Sequence, residues 1–365
     1  MARIDAFLAR GRGEGCSDIH IAAGRPPMFR LHGRLVPIAF RDLAKKEVDH
    51  LLFEVMSEQQ QKAFADGEDL DFTYASERIG RYRVNIFRKL SGSGATFRII
   101  GSKIPELGSL GLPPVVASLA DHKQGLVLVT GAAGTGKSTT LAALVDYINN
   151  TKKINIITLE DPIEYIHKRG ESQIVQREIG AHVPSFAAGL RAALREDPDV
   201  ILVGEMRDRE TIGLALEAAE TGHLVFGTLH TASAVKTLDR VIDAMPVRQK
   251  TQTAMILSHH LRGVISQRLV RTADGNGRRA VAEILINTPA IGSLIQHRKH
   301  FQIPDQLQTG KEQGMQLMDQ ALKQAVTGGL IDPNEAYLLA DDKKLFRRYV
   351  TDAEILPQIS LGGGR

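Results

Sequence analysis

Residues 131 to 139 read Gly-Ala-Ala-Gly-Thr-Gly-Lys-Ser-Thr. Glycines at that spacing let a backbone turn tightly enough for successive N–H groups to converge on one oxyanion. A lysine after the last glycine reaches further phosphate oxygens, and the next residue supplies a hydroxyl of the kind that ligates magnesium. The chemistry is the holding of a polyphosphate. Gly131, Ala132, Ala133, Gly134, Thr135, Gly136, Lys137, Ser138 and Thr139 are therefore the expected nucleotide-binding residues, for ATP with Mg2+. A chance glycine-rich turn would lack the right surroundings. Here an apolar strand-like run, Gly125 to Thr130, leads into the loop, and a helical pattern, Thr139 to Asn149, leaves it. The positive end of that helix adds to the attraction for phosphate.

Carboxylates recur where apolar runs end. The stretch Thr158 to Tyr165 reads TLEDPIEY. In open α/β sheets the ligand crevice lies off the carboxyl ends of the strands, so Glu160 and Asp161 are expected to face it. Transfer of a phosphoryl group to water needs a carboxylate that orients and partly deprotonates the water, and Glu160 is the candidate. The competing reading is a solvated acidic strand end. A second run, DPDVILVGEMRD at 197 to 208, ends in Glu205 after Gly204. This has the form of a Walker B strand with Glu where Asp is usual, and Glu205 is expected to act on Mg2+ through water. Residues 222 to 231 read GHLVFGTLHT. His230 at the carboxyl end of that strand is a candidate γ-phosphate sensor, against an ordinary structural histidine. His223 lies at the other end and is the weaker candidate.

These loops need a scaffold of short, fully apolar, β-branched strands alternating with helices: 125–130, 154–159, 200–203 and 224–228, separated by helical patterns at 139–149, 186–195 and 209–220. Buried parallel strands with crossover helices fit that alternation. Upstream, residues 1–100 combine a short helix holding Ile4, Phe7 and Leu8, a helical stretch at 46–65, and strands at 18–22, 28–31, 35–38, 70–75, 81–87 and 94–100. One hairpin turns at His32-Gly33. The first helix is read as packing on a core rather than on a membrane surface, because its apolar face is short. Residues 101–114, rich in Gly and Pro, read as a hinge linker. The ATPase core is placed at 115–245 and a mainly helical region at 246–356, with a hairpin of 265–271 and 280–286 inside it. A flexible tail is placed at 357–365.

The chain has 365 residues, room for two or three domains. Its net charge of +4 is spread among acids, without the dense basic patch of a nucleic-acid binder, and no nucleic-acid partner is expected. The single cysteine, Cys16, excludes an internal disulfide and a cysteine-rich zinc site. No secretory signal and no stretch of spanning length is legible.

The ordered motifs resemble the PilT type of secretion-superfamily ATPases, the type IV pilus retraction motors. The resemblance runs through SDIHIAAGRPPMFRLHG at 17–33, TLEDPIEY as the Asp box, REDPDVILVGEMRD at 195–208 as Walker B and TGHLVFGTLHT at 221–231 as the His box. It continues through QRLV at 267–270, AEILINTPAI at 282–291 and MQLMDQAL at 315–322. It implies a RecA-like P-loop core, a small PAS-like N-terminal α+β domain, a helical C-terminal region and a homohexamer. It also implies a general base at Glu160 and support of Mg2+ at Glu205. The N-terminal domain would supply arginines to nucleotide; Arg81, Arg83 and Arg98 are the matching basic positions, unranked, against ordinary strand-face charges. The partners implied are an inner-membrane platform protein and, through it, pilin. The place implied is the cytoplasmic face of that membrane. Retraction motors carry an AIRNLIRE-like stretch, and here Ala290 to His297 keeps its apolar positions but not its Arg, Asn and Arg-Glu positions.

The reading is a motor ATPase driving pilus retraction and twitching. Three alternatives stay open. An accessory or regulatory paralogue would turn over slowly without a partner motor. An extension or type II secretion ATPase usually has a four-cysteine zinc site. A nucleic-acid translocase would be stimulated by DNA or RNA with steep salt dependence.

Overall fold

The computed structural model describes residues 2–31, 33–76, 78–101 and 103–356. His32, in the first expected hairpin, and the tail expected at 357–365 lie outside them. The chain divides into two compact units: Met1–Lys103 with Glu164–Ile166, and Ile104–Ile163 with His167–Arg365.

The first unit begins with helix α1 (Asp5–Gly13) and strands β1 (Asp18–Ala22), β2 (Met28–Leu31) and β3 (Arg34–Pro37). Helices α2 (Lys45–Phe53) and α3 (Glu58–Ala65) follow, then β4 (Leu70–Ser76), β5 (Gly80–Lys89) and β6 (Gly92–Ile99). The six strands form one antiparallel sheet in the order β3-β2-β1-β6-β5-β4. Ile4 and Leu8 are fully buried in the same cluster as Ile19, Phe29, Val84 and Phe97, so α1 packs on this core. The helical stretch expected at 46–65 is two helices. Ser57 caps the second: its hydroxyl accepts from the Gln60 N–H at 3.3 Å, and the Gln60 side-chain Oε1 accepts from the Ser57 N–H at 2.8 Å. This Ser-x-x-Gln capping box starts a new helix after a break.

The second unit opens with a 3-10 turn at Leu107–Leu110 and the short helix α4 (Val115–Leu119). Leu107 and Leu112 pack against the core of this unit. The Gly/Pro stretch at 101–114 is therefore mostly built into the second unit, and the junction falls at Lys103 and Ile104. Then follow β7 (Gly125–Thr130), α5 (Lys137–Thr151), β8 (Asn155–Glu160), β9 (Gln173–Glu178), α6 (Phe186–Ala193), β10 (Val200–Val203), α7 (Arg209–Glu220) and β11 (Leu224–Leu229). The chain continues through α8 (Ala234–Asp243), α9 (Val247–His260), β12 (Leu261–Arg271), β13 (Arg278–Ile286), α10 (Pro289–Gln296), α11 (Ile303–Thr309), α12 (Met318–Thr327) and α13 (Pro333–Leu339).

Seven strands make a single sheet in the order β13-β12-β7-β11-β10-β8-β9. All neighbours are parallel except β12 and β13. Every residue of β7, β10 and β11 is buried, which is why these strands read as unbroken apolar runs. Successive residues serve opposite faces: Leu126, Leu128, Ile201 and Val203 join one core cluster, and Val127, Val129, Val200 and Leu202 the other. Two departures from expectation stand out. Strand β9 was not anticipated, and the 261–286 hairpin is not an insertion among helices. It extends the ATPase sheet, so the boundary placed between 245 and 246 falls within one compact unit.

Candidate active site

Four parallel strands end side by side at one edge of this sheet. Strand β7 runs into the phosphate loop and β11 ends just before His230. Strand β10 ends just before Gly204-Glu205, and β8 ends on Glu160. The expected residues at 131–139, Glu160, Glu205 and His230 thus come to the carboxyl edge of one sheet, where ligands bind in this architecture. Arg81 and Arg83 on β5 and Arg98 on β6 belong to the other unit.

The loop's shape is imposed by glycine and braced from outside. Gly131 has φ 142° and Gly136 has φ 88°, conformations that L side chains rarely adopt. A Cβ on Gly131 would lie 2.4 Å from the Gln267 carbonyl oxygen. The Gln267 side chain on β12 is almost wholly buried. Its Nε2 donates to the Thr135 carbonyl at 2.7 Å, and its Oε1 accepts from the Thr140 hydroxyl at 2.8 Å. One amide thus holds the loop and the first turn of α5 together. Lys137 folds back over the loop: Nζ donates to the carbonyls of Gly131 at 2.8 Å and Ala132 at 2.9 Å.

Lys137 Nζ also lies 3.4 Å from His230 Nδ1, and His230 Nε2 lies 2.9 Å from Glu205 Oε1. A continuous polar chain therefore runs from the phosphate loop through the end of β11 to the end of β10. The backbone on either side is fixed. The Gly204 N–H donates to the Leu159 carbonyl at 2.8 Å, the Met206 N–H to the Thr228 carbonyl at 3.0 Å, and the Thr228 hydroxyl to the Gly204 carbonyl at 2.5 Å. Downstream, Asp208 caps α7 by accepting from the Thr211 N–H at 2.9 Å. Past His230, Ser233 caps α8.

Burial alone would raise the Glu205 pKa. The hydrogen bond and charge of Arg207, whose Nε is 2.6 Å away, and those of His230 outweigh it and hold the carboxyl below the usual range. Glu160 is held differently: its Oε1 accepts from the Thr158 hydroxyl at 2.6 Å and from Gln176 Nε2 at 3.1 Å. His223 sits at the opposite end of β11, with Nδ1 3.0 Å from the Ala218 carbonyl.

The type II/IV secretion system protein family matches residues 3–337. The chain belongs to that family. A Pseudomonas aeruginosa protein described as the "type IV pilus retractation ATPase PilT" is 48% identical over 91% of this chain and 96% of its own length. A second Pseudomonas aeruginosa protein, the type IV pilus ATPase PilU, is 40% identical over 96% and 93%. The crystal structure of the pilus retraction motor PilT with bound ADP superposes with a TM-score of 0.88, at 43% identity over 95% of this chain and 99% of that one. The family is one of nucleotide-binding ATPases, and this member is of the PilT type. The fold class read from the sequence holds: a RecA-like P-loop core with a small N-terminal α+β domain and a helical C-terminal region.

Within this family member, sequence reasoning passed over Arg207, Gln267 and Gln176. Arg207 lies inside the Walker B motif, and Gln267 is the first residue of the QRLV stretch at 267–270. Gln176 lay in a strand that was not recognised. In the N-terminal unit, Arg83 pairs with Asp71 at 2.6 Å and Arg98 with the buried Asp18 at 2.8 Å. Register sets Arg83 directly opposite Arg98.

Proposed function

We propose that the chain is a homohexameric motor that hydrolyses ATP to drive type IV pilus retraction. It would act at the cytoplasmic face of the inner membrane on a platform protein, and through it on pilin. The observation that carries the reading is the Lys137–His230–Glu205 chain at the carboxyl edge of the sheet, in a sequence 48% identical to a pilus retraction ATPase over nearly its whole length.

In this reading the backbone of 131–139 cradles the phosphates, and Lys137 exchanges its loop carbonyls for phosphate oxygens. Glu160 accepts the proton of the attacking water. The donor set also suits magnesium: a serine hydroxyl and a carboxylate are hard oxygen ligands, and Mg2+ is commonly held by one or two protein groups together with phosphates and water. Ser138 would hold it directly and Glu205 through water. Bound there, the ion would neutralise charge on the β- and γ-phosphates. Arg81, Arg83 and Arg98 remain the candidates from the N-terminal unit for nucleotide contact. The proposed domains are an N-terminal PAS-like domain at 1–100, a hinge centred on residues 103–104 within 101–114, and an ATPase core joined through its sheet to the C-terminal helices.

A second reading, an accessory or paralogous pilus motor, is favoured by the 290–297 stretch. Ile291 and Ile295 of α10 are fully buried, whereas Gln296 and His297 are exposed where retraction motors carry Arg and Glu, and Ser293 is exposed where they carry Asn. A Cβ at Gly292 would meet the Ser258 carbonyl at 2.9 Å, so α10 approaches α9 too closely for a larger residue without a shift. Deleting the gene in its own host separates the readings. Excess surface pili with lost twitching is the expected result. Bald cells would mean extension, and unchanged twitching would mean an accessory role.

A further inference from the structure

Strands β8 and β9 pair in parallel with Thr158 opposite Gln176 and Glu160 opposite Glu178. Residues two apart on a strand share a face, so these four side chains leave the sheet together at its carboxyl edge. Two donors converge on one oxygen there: the Thr158 hydroxyl and Gln176 Nε2 both reach Glu160 Oε1. The Gln176 amide is not at liberty to turn around. Its own Oε1 accepts from the His167 backbone N–H at 3.0 Å. Flipping it would set an NH2 against that N–H and a carbonyl against a carboxylate, two donor–donor and acceptor–acceptor clashes in place of two hydrogen bonds.

We propose that Gln176 is a positioning residue, which sets the plane of the Glu160 carboxylate for activation of water. The proposal deepens the functional reading above and rests on Glu160 being the base. A general base works only from a geometry within hydrogen-bond reach of the proton it takes, and misplacement by about 1 Å costs on the order of a hundredfold. A glutamate carboxylate has a broad terminal torsion, as sp2 groups do. A donor from the neighbouring strand narrows that freedom. The support for that donor is itself fixed. Ile163 N–H donates to Glu178 Oε2 at 3.1 Å, and His167 N–H donates to Gln176. The chain is thus tied to β9 immediately before and after Glu164–Ile166, the three residues that group with the N-terminal unit.

Gln176 has two separable jobs: accepting from His167, which is structural, and donating to Glu160, which the proposal needs. Gln176→Glu keeps the acceptor and the shape while replacing the donor by a second carboxylate. In the full-length assembled protein at mildly alkaline pH, kcat should fall by at least about tenfold, general-base contributions being on the order of a hundredfold or more. KM for ATP and affinity for a non-hydrolysable ATP analogue should stay at wild-type values, while Tm falls because two carboxylates now face each other. Gln176→Met, which loses both bonds, should show the same loss of kcat with nucleotide affinity intact. Wild-type kcat in Gln176→Glu, beside an inactive Glu160→Gln, overturns the proposal and leaves the base in place. A loss of kcat that appears in Gln176→Glu and Gln176→Met only with a matching loss of nucleotide affinity overturns it too. Wild-type turnover in Glu160→Gln removes the base assignment itself, and the role of Gln176 with it.

Discussion

His230 stands between an ammonium and a carboxylate. Lys137 Nζ can only donate and lies 3.4 Å from Nδ1, while Glu205 Oε1 can only accept and lies 2.9 Å from Nε2. Glu205 is under opposite pulls in the same cluster: burial raises its pKa, and Arg207 with His230 lowers it further than burial raises it. A carboxyl depressed in the folded state contributes stability above its unfolded pKa, and loses that contribution as pH falls through the folded value. Replacing Arg207 by Ala removes its hydrogen bond and its charge, so Glu205 binds a proton more readily. The Tm of Arg207→Ala should therefore lie below wild type near neutral pH. The gap should shrink at a pH well below the usual carboxylate range, as pH falls through the depressed folded value and the wild-type carboxyl is protonated too. Calorimetry at the two pH values checks this, and an equal gap at both refutes it. The residues legible in advance were those whose chemistry is written in one contiguous stretch, as in 131–139 and at the ends of apolar strands. Gln267 and Gln176 were not legible, because what they do depends on partners brought from elsewhere in the chain: Gln267 meets Thr135, which lies at the far end of the core sequence.

Strand β12 illustrates how an element changes meaning once it is paired. From sequence it was half of a hairpin among C-terminal helices; in the sheet it lies parallel to β7 with Ile265 beside Val129 and Ser266 beside Thr130. That register carries Gln267 to the phosphate loop. Gln267→Leu is close in volume but leaves the Thr135 carbonyl and the Thr140 hydroxyl without their buried partner. Each such group costs about 1–3 kcal/mol. The expected result is a protein destabilised by about 2–4 kcal/mol with weaker affinity for ATP, measured by denaturant unfolding and nucleotide titration. Unchanged nucleotide affinity would mean that the brace is dispensable for the loop. The elements that sequence reasoning missed share a cause. Strand β9, Gln-Ile-Val-Gln-Arg-Glu, lies at the sheet edge with only one residue fully buried, so it lacks the apolar run of its neighbours. The break between α2 and α3 was written in Ser57 and Gln60, but a continuing apolar period masked it.

At the scale of the molecule, each unit has a core of its own. One is built on Ile19, Phe29, Val84 and Phe97, and the other on both faces of the seven-stranded sheet. The division near residue 100 was legible because glycine and proline interrupt two different textures, a mixed α+β pattern and a βα alternation. The extent of the second unit was not, since strand pairing between β7 and β12 joins segments more than a hundred residues apart in sequence. The phosphate loop, Glu160, Glu205, His230, Gln176 and Gln267 all belong to the second unit. A ligand that binds the native state stabilises whatever unfolds with its site, by about 2.7 kcal/mol at a hundredfold excess over Kd. Two cores with separate clusters predict two calorimetric transitions, of which ADP should move one upward and leave the other within error. The shifted transition should be the larger in enthalpy, because unfolding enthalpy scales with the number of residues involved and the second unit holds most of the chain. A Lys137→Ala protein should show both transitions at unshifted temperatures in the same titration. If ADP instead moves both transitions together, the arginines of the N-terminal sheet become direct contributors to nucleotide affinity, and Arg81→Ala, Arg83→Ala and Arg98→Ala tested singly would show which of them restores the uncoupled pattern.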